Sequence, residues 1–335
     1  MNTEPLIAIA GATGVAGNEI LQVLEAGSMP VSQVRLLASE DSVGEIYKFR
    51  EDEASVELLD EDAFSGVDIA FFATSADLSE RLVPAALEQG ALVIDNSGYY
   101  AQRPEARLVV PGVNSSVLTR ETRLVANPNC TTTQLAPVLD IINKAAGLKR
   151  VVVSSYQSVS GAGKAALDEL WGQTISVFNQ QALEVEALPH QIAFNCIPQI
   201  DLMAEDGYTR EESRLIAESR LILKMPELRM TATAVRVPVF YSHAQSVNIE
   251  TERELLPEKL SALLEAASGI QVYPSCSEYP MQADVSGSGD IHVGRIRQDK
   301  SLPHGLDMWV VADNVRRGVA LNAVQIAQTC FDLFQ

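Results

Sequence analysis

The chain contains no apolar run approaching the ~20 residues that a helix needs to cross a bilayer, so no membrane span is predicted. Its first residues, MNTEPLIAIAG, carry no basic stretch ahead of a long apolar core. No secretory signal is therefore predicted, and the cytoplasm is the expected compartment. Cysteine and histidine are scarce, four of each, and the cysteines (Cys130, Cys196, Cys276 and Cys330) form no CxxC pair. A metal site is not expected from so few scattered ligands, and in a reducing compartment the thiols stay free. Positive charge is short as well. With 25 Lys+Arg against 44 Asp+Glu the net charge is -19, a surface that repels nucleic acid and anionic lipid. Any site for an anionic small molecule is then expected to be a local positive island. No internal repeat, low-complexity tract or linker rich in Gly and Ser interrupts the sequence.

What the chain does have is size and rhythm. At 335 residues, 47% hydrophobic and 21% charged, it reads as a globular protein of two domains. Short apolar runs at 5–10 (PLIAIA), 34–38, 67–74 (VDIAFFAT) and 91–95 (ALVID) alternate with helical patterns such as Leu78, Leu82, Val83 and Leu87. Continuous apolar strands separated by helices predict a parallel sheet covered on both faces, an α/β unit of Rossmann type. After Asn129 the rhythm changes. Residues 132–146 and 163–178 read as helices, and 150–160, 231–241, 246–251, 291–296 and 306–312 as longer strands, before a last helix over 317–334. This predicts a second, α+β domain on a mixed sheet. The expected division is residues 1–131 plus the C-terminal helix 315–335 against residues 132–314.

The first strand breaks into Gly11-Ala12-Thr13-Gly14-Val15-Ala16-Gly17 ahead of a helix. Glycines at such a turn let a pyrophosphate approach free backbone N–H groups and the positive end of the helix dipole. The GxxGxxG spacing is one residue longer at the front than the common fingerprint. A tight turn without a ligand is the other reading, and the βαβ context favours a bound dinucleotide. Selection between coenzymes falls to Ala38-Ser39-Glu40-Asp41-Ser42 at the end of the second strand. A carboxylate there accepts from a ribose 2′-OH and repels a 2′-phosphate, which leans towards NAD unless Glu40 and Asp41 are merely solvated loop charges.

Asn127-Pro128-Asn129-Cys130-Thr131-Thr132-Thr133-Gln134 precedes an apolar-periodic helix. Pro and Asn resist helix and the Thr run offers capping oxygens, which puts Cys130 at the helix N-terminus. That position is expected to draw the thiol well below its ordinary ~8.5 and to offer N–H groups to an oxyanion. Buried packing fits Cys196, Cys276 and Cys330 better. A thiolate also needs a proton acceptor and an orienting group. His243, in Tyr241-Ser242-His243-Ala244 between two strands, is either that group or a structural histidine. Arg236 lies inside the apolar strand AVRVPVF, where an unpaired guanidinium is costly, so it must meet a carboxylate of the protein or of a ligand.

GATGVAG, LASEDSVG, DNSGYY, LVVPGVN, NPNCTTTQ, YQSVSGAGKAA, AFNCIPQID, VRVPV with SHAQSVNIE, and DNVRRGVALNAVQIA follow in this order from the first strand to the last helix. Together they resemble aspartate-β-semialdehyde dehydrogenase over essentially the whole chain, and YSHAQSVNIE and the loop after DNSG look closer to the family's Usg-like branch. The resemblance implies an oxidoreductase that reversibly interconverts L-aspartate 4-semialdehyde and 4-aspartyl phosphate with NADP and phosphate. It implies Cys130 as nucleophile, His243 as acid/base and Gln157 as the residue that orients the reacting groups. Arg236 would hold the substrate α-carboxylate and Glu211 its amine, with Arg214 and Asn129 completing the substrate set. The dinucleotide would lie over Gly11, Thr13, Gly14, Val15 and Gly17, with Ser39, Asp41 and Ser42 beside it and Gly161 and Gly163 near the nicotinamide. The second domain would carry catalysis and join a homodimer or dimer of dimers.

Three positions depart from the family's pattern. Ala101 stands where the family carries an Arg for phosphate, with Arg103 two residues on; Arg214 stands for Lys; Asp41 stands for Arg. Losing one charge-assisted phosphate contact costs about 2–3 kcal/mol, or one to two orders of magnitude in rate or affinity. Two alternatives stay open on these grounds. One is a dehydrogenase of another acidic aldehyde; the other is a catalytically weak paralogue that binds dinucleotide and pairs with a true dehydrogenase.

Overall fold

A computed structural model of the chain describes residues 3–275 and 277–335, which leaves Cys276 outside the described residues. The polypeptide divides into two compact units, one running up to Asn129 and resuming at Val319–Gln335, the other Cys130–Gly318.

In the first unit, β1 (Leu6–Ala10), β2 (Gln33–Ala38), β3 (Ile46–Phe49), β4 (Asp52–Leu58), β5 (Ile69–Phe72), β6 (Leu92–Asp95), β7 (Arg107–Leu108) and β8 (Leu124–Ala126) form one sheet. Their order is β3-β4-β2-β1-β5-β6-β8-β7, parallel throughout except for the β3–β4 hairpin. Four-residue β5 (IAFF) and β6 (LVID) are buried at every position, which is why they read as unbroken apolar runs. Helices α1 (Val15–Ala26) and α2 (Ala76–Glu88) and the C-terminal helix Asn322–Phe334 pack on this sheet. Ile20, Leu24, Ile326 and Phe331 join Ile7, Ile9 and Phe71 in one core, each fully buried aliphatic contributing roughly 1.5–3 kcal/mol. Strand β1 has β2 on one side and β5 on the other. A sheet that winds both ways from one strand opens a crevice at that strand's carboxyl end, where Gly11 begins.

In the second unit, β9 (Leu148–Gln157), β10 (Arg229–Arg236), β11 (His243–Thr251), β12 (Ile270–Tyr273), β13 (Ile291–Asp299) and β14 (Gly305–Ala312) form the mixed sheet that the strand lengths predict. Its order is β10-β9-β11-β14-β13-β12, with β9–β10 and β12–β13 parallel and the remaining pairs antiparallel. Helices α3 (Cys130–Ala146), α4 (Lys164–Phe178), α5 (Arg210–Ile222), α6 (Pro257–Glu265) and α7 (Gln282–Val285) complete it. Leu135, Leu139 and Ile142 of α3 meet Val151, Val153, Val247 and Ile249 of the sheet in its core.

Some elements differ from the sequence-based expectation, each for a physical reason. The strand expected over 231–241 ends at Arg236 because Pro238 has no N–H for the ladder. The last helix begins as a π-helical stretch, Arg316–Leu321, before turning α-helical at Asn322. The β3–β4 hairpin escapes a reading by pattern because its side chains are mostly exposed and polar, without the apolar run that marks a buried strand.

Candidate active site

Strand pleating sets the frame of the site. Successive side chains on a strand face opposite ways, so alternate residues share a face. On β9 the buried row is Val151, Val153, Ser155, Gln157; on β10 it is Met230, Ala232, Ala234, Arg236; on β11 it includes His243, Gln245, Val247 and Ile249. Each row is largely apolar where it meets the helices and becomes polar at one end. The register aligns those ends, since Gln157 pairs with Arg236 on one side and with His243 on the other. Three side chains far apart in the sequence therefore share one rung of the sheet, all of them buried.

Cys130 is the first residue of α3, as its sequence context predicts. The hydroxyls of the Thr run also reach beyond their own helix. Thr131 Oγ1 donates to Glu211 at 3.3 Å, Thr132 Oγ1 to Glu218 at 2.8 Å, and Thr133 Oγ1 to the Gly318 carbonyl at 3.0 Å. Buried hydroxyls need partners more than exposed ones do, and here they tie the turn that begins at Cys130 to a second helix. That helix, α5, lies outside the elements expected from periodicity, although Thr209-Arg210-Glu211-Glu212 spells a capping box. Thr209 and Glu212 bond each other's backbone N–H in both directions. With α5 started there, Glu211, Arg214 and Glu218 fall at three- and four-residue spacing on one face. Gln157 Nε2 donates to Glu211 Oε1 at 2.9 Å, and Arg214 donates to Glu218 Oε1 through both Nε and Nη2 at 3.3 Å.

The electrostatics overturn two expectations. The site is no positive island, because Glu211 and Glu218 accompany Arg214 and Arg236. Nor is the thiol drawn down: it is pushed up to about 12, first by burial and second by the Glu211 carboxylate. Arg214, Arg236 and the Thr131 N–H at the helix start act the other way and do not prevail. His243 is held at about 3, first by burial and next by Arg236, against an opposing contact with the Ser242 backbone. Burial also lowers Arg236, whereas for Arg214 the carboxylates of Glu218 and Glu211 outweigh burial and leave it raised. Among the described residues the guanidinium of Arg236 makes one hydrogen bond, 2.7 Å to the Ser158 carbonyl.

Gly161 lies in the 3-10 turn Val159–Ala162 beside this cluster. A Cβ there would sit 3.1 Å from Arg236 Nη1 and 3.2 Å from His243 Nε2, so the missing side chain keeps space open in front of both. Gly163, at φ +86°, starts α4 with nothing among the described residues within 4 Å of the place a Cβ would take. Asn129 is buried immediately before Cys130, as the last residue of its unit. Of the remaining cysteines Cys330 is buried, but Cys196 is exposed rather than packed; its backbone N–H is taken by the Asn195 side chain in an irregular segment.

The glycine loop of the first unit suits a dinucleotide. A Cβ at Gly11 would lie 2.3 Å from the Ala73 carbonyl oxygen, and one at Gly17 would lie 2.1 Å from the Gly11 carbonyl oxygen, so neither position admits a side chain. Among the described residues Gly14 caps α1 without any side-chain bond to the first turn, and a helix start of this kind suits an anion. Thr13 and Ser42 approach at 3.5 Å between their hydroxyls, and Ser39 caps the short helix carrying exposed Glu40 and Asp41. Ala101 is buried, and Arg103 is held elsewhere: its guanidinium lies 3.9 Å from the Tyr99 ring centre and donates to the Tyr99 carbonyl.

Known proteins match this arrangement along its length. The model of the semialdehyde dehydrogenase NAD binding domain matches residues 6–120, and that of the semialdehyde dehydrogenase dimerisation domain matches residues 136–317. The chain belongs to the semialdehyde dehydrogenase family. It is 44% identical to the aspartate-semialdehyde dehydrogenase of Aquifex aeolicus over 328 residues, 96% of each chain. Aspartate-semialdehyde dehydrogenase 2 of Vibrio cholerae is 43% identical, again over 96% of each chain. The crystal structure of aspartate semialdehyde dehydrogenase II from Vibrio cholerae, complexed with ASA, superposes with a TM-score of 0.95 at 42% identity and 98% coverage of both chains.

Proposed function

We propose that the chain is an aspartate-semialdehyde dehydrogenase that works through a Cys130 thioester. The observation that carries this reading is the rung of Gln157, Arg236 and His243 on the sheet, with Glu211 bonded to both Gln157 and the turn that begins at Cys130. The named relatives, more than 40% identical over nearly the full length, support it.

The substrate is an amino acid with an aldehyde side chain. Its α-carboxylate suits the N–H groups of Arg236, and its ammonium suits Glu211. Cys130 Sγ adds to the aldehyde carbon; the C–S bond forms, the carbonyl π pair moves to oxygen, and the thiol's proton balances the new alkoxide. His243 serves that oxygen, and Gln157 holds Glu211 in place. Gly11, Thr13, Gly14, Val15 and Gly17 would hold a nicotinamide dinucleotide, which would supply the acceptor for the hydride that leaves the former aldehyde carbon, while the hydroxyl proton is released and the C=O of the thioester re-forms. A phosphate oxygen then attacks the thioester carbon, the C–S bond breaks, and the sulfur leaves as thiolate. Arg214 keeps a cation for that phosphate. Ala101 and the stacked Arg103 supply none, so a high KM for phosphate is part of this reading.

Asp41 and Glu40 favour NAD over NADP, since a 2′-phosphate would meet carboxylates. A homodimer is supported by the match to the dimerisation domain and by the exposed Trp171, Phe178 and Phe194 of the second unit. The test is turnover of L-aspartate 4-semialdehyde with phosphate and each dinucleotide, with mass spectrometry of the acyl-enzyme. Cys130→Ala is expected to abolish acylation and leave dinucleotide affinity nearly intact. Full activity in that variant refutes the thioester route, and turnover independent of phosphate transfers the reading to another acidic aldehyde.

A further inference from the structure

His243 is surrounded by a network that the proposed reaction does not account for. Its Nδ1 lies 3.1 Å from the Ser158 backbone N–H and 3.1 Å from the Ser158 hydroxyl. A backbone N–H can only donate, and Nδ1 has a single in-plane lone pair to accept with. A neutral imidazole carries one proton, which is thereby assigned to Nε2. Nε2 is buried without a hydrogen-bond partner among the described residues and faces the space that Gly161 leaves open.

One atom holds these pieces together. Asn314 Oδ1 lies 3.2 Å from Ser158 Oγ, 3.1 Å from Ser160 Oγ and 2.9 Å from the Ser242 backbone N–H. Ser160 Oγ lies 3.0 Å from Ser158 Oγ and can serve Asn314, while the Ser158 hydroxyl is the one within reach of Nδ1, sharing its lone pair with the backbone N–H. Ser242 directly precedes His243 and sits at φ +70°, a left-handed conformation that a non-glycine residue keeps only when its surroundings enforce it. Its N–H is fixed by Asn314 and its carbonyl by Gln282 Nε2 at 2.7 Å. Asn314 thus bridges the turn that reads Nδ1 and the strained residue that aims the ring.

We infer that Asn314 is a positioning residue for His243: with Ser158 it locks the imidazole so that Nε2–H, not a lone pair, is presented to the reacting oxygen. In that state His243 stabilises the developing oxyanion as a hydrogen-bond donor, and the thiol proton does not leave to Nε2. The inference uses the proposed dehydrogenase activity only for its kinetic readout.

The experiment is nitrogen NMR of the full-length protein labelled at histidine, with Asn314→Ala, Ser158→Ala and Asn314→Asp alongside. The wild type is expected to show Nδ1 of His243 unprotonated and Nε2 protonated. Asn314→Ala is expected to mix the tautomers and lower kcat by roughly tenfold to a hundredfold with KM within about twofold, less than the roughly 10⁴-fold of a fully reversed tautomer, whereas Ser158→Ala keeps the backbone N–H that donates to Nδ1 and is expected to keep the single tautomer. Asn314→Asp keeps an acceptor at the same place and is expected to restore the single tautomer, which separates positioning from misfolding. A wild-type Nδ1–H signal, or unaltered His243 signals in Asn314→Ala, overturns the inference. Expected spectra without turnover of aspartate semialdehyde leave the network standing and count against the activity instead.

Discussion

Glu211→Gln tests which force governs the nucleophile. Glu211 is the second-largest cause, after burial, of a thiol pushed up to about 12 from an ordinary 9.0. Three units correspond to about 4 kcal/mol against ionisation, leaving on the order of 10⁻⁴ of the sulfur as thiolate at pH 8. A like charge within ~4–6 Å raises an acid by about one to three units, and at an effective dielectric of ~20 a separation near 5 Å gives ~3 kcal/mol. Removing Glu211's charge is then expected to lower the thiol by about one to two units. The amide keeps an oxygen to accept from Gln157 Nε2 and Thr131 Oγ1, so the geometry has reason to persist.

Thiolate population would rise about tenfold to a hundredfold at pH 8, but a less basic thiolate is intrinsically less reactive, with a Brønsted slope of ~0.4–0.5. The net expectation is alkylation by iodoacetamide roughly three- to tenfold faster at pH 8, with the midpoint of the rate–pH curve displaced to lower pH. Turnover should fall in the same variant, because the substrate ammonium loses its partner. An unchanged or raised midpoint would show that burial alone sets the thiol and that Glu211 does not face it.

Two further substitutions probe the remaining geometry. Gly161→Ala places a methyl 3.1 Å from Arg236 Nη1 and 3.2 Å from His243 Nε2; kcat/KM is expected to fall by at least about tenfold with an unaltered melting temperature, and full activity would mean that substrate does not use this space. Asp41→Arg replaces repulsion with attraction at the coenzyme ribose, where a charge-assisted bond adds about 1.5–3 kcal/mol; the NADP/NAD preference, measured as the ratio of kcat/KM values, should rise by roughly tenfold or more, and no change would place the 2′ position elsewhere.

What the sequence makes legible is set by period and by local chemistry. Buried parallel strands such as LIAIA and IAFF announce themselves, and the glycine loop between β1 and α1 does so as well. Cys130 can be placed at a helix start because Pro128 and Asn129 resist helix. Non-local pairing is invisible there: nothing local says that Gln157, Arg236 and His243 share a rung, since that depends on the register of three strands. Glu218 escapes notice along with α5, although the capping box at Thr209 signals that helix's start. Asn314 lies inside a motif that stands out for its family likeness, with no local hint that its oxygen gathers Ser158, Ser160 and Ser242. The thiol's direction runs against expectation because a helix terminus contributes a fixed, modest pull, whereas burial and a neighbouring carboxylate depend on the whole fold.

The same charge pattern bears on which ligand the second unit accepts. Arg214 is already matched to Glu218, and the Glu211 carboxylate lies close enough to Arg236 to raise it against the lowering by burial. A ligand bearing only a carboxylate would satisfy Arg236 and leave Glu211 as an anion beside a second anion, in surroundings where such pairs repel by several kcal/mol. An α-amino acid brings both signs at once. Its carboxylate replaces Glu211 as the counter-charge of Arg236, its ammonium replaces Arg236 as the counter-charge of Glu211, and the net charge of the cluster is unaltered. In the proposed complex the ammonium would also offset the carboxylate that adds to burial in holding Cys130 protonated, so the ligand that fits would lower the barrier to its own attack. A des-amino aldehyde acid of the same length should therefore lose kcat as well as affinity, whereas loss of affinity alone would mean that Glu211 only binds and has no hold on the thiol.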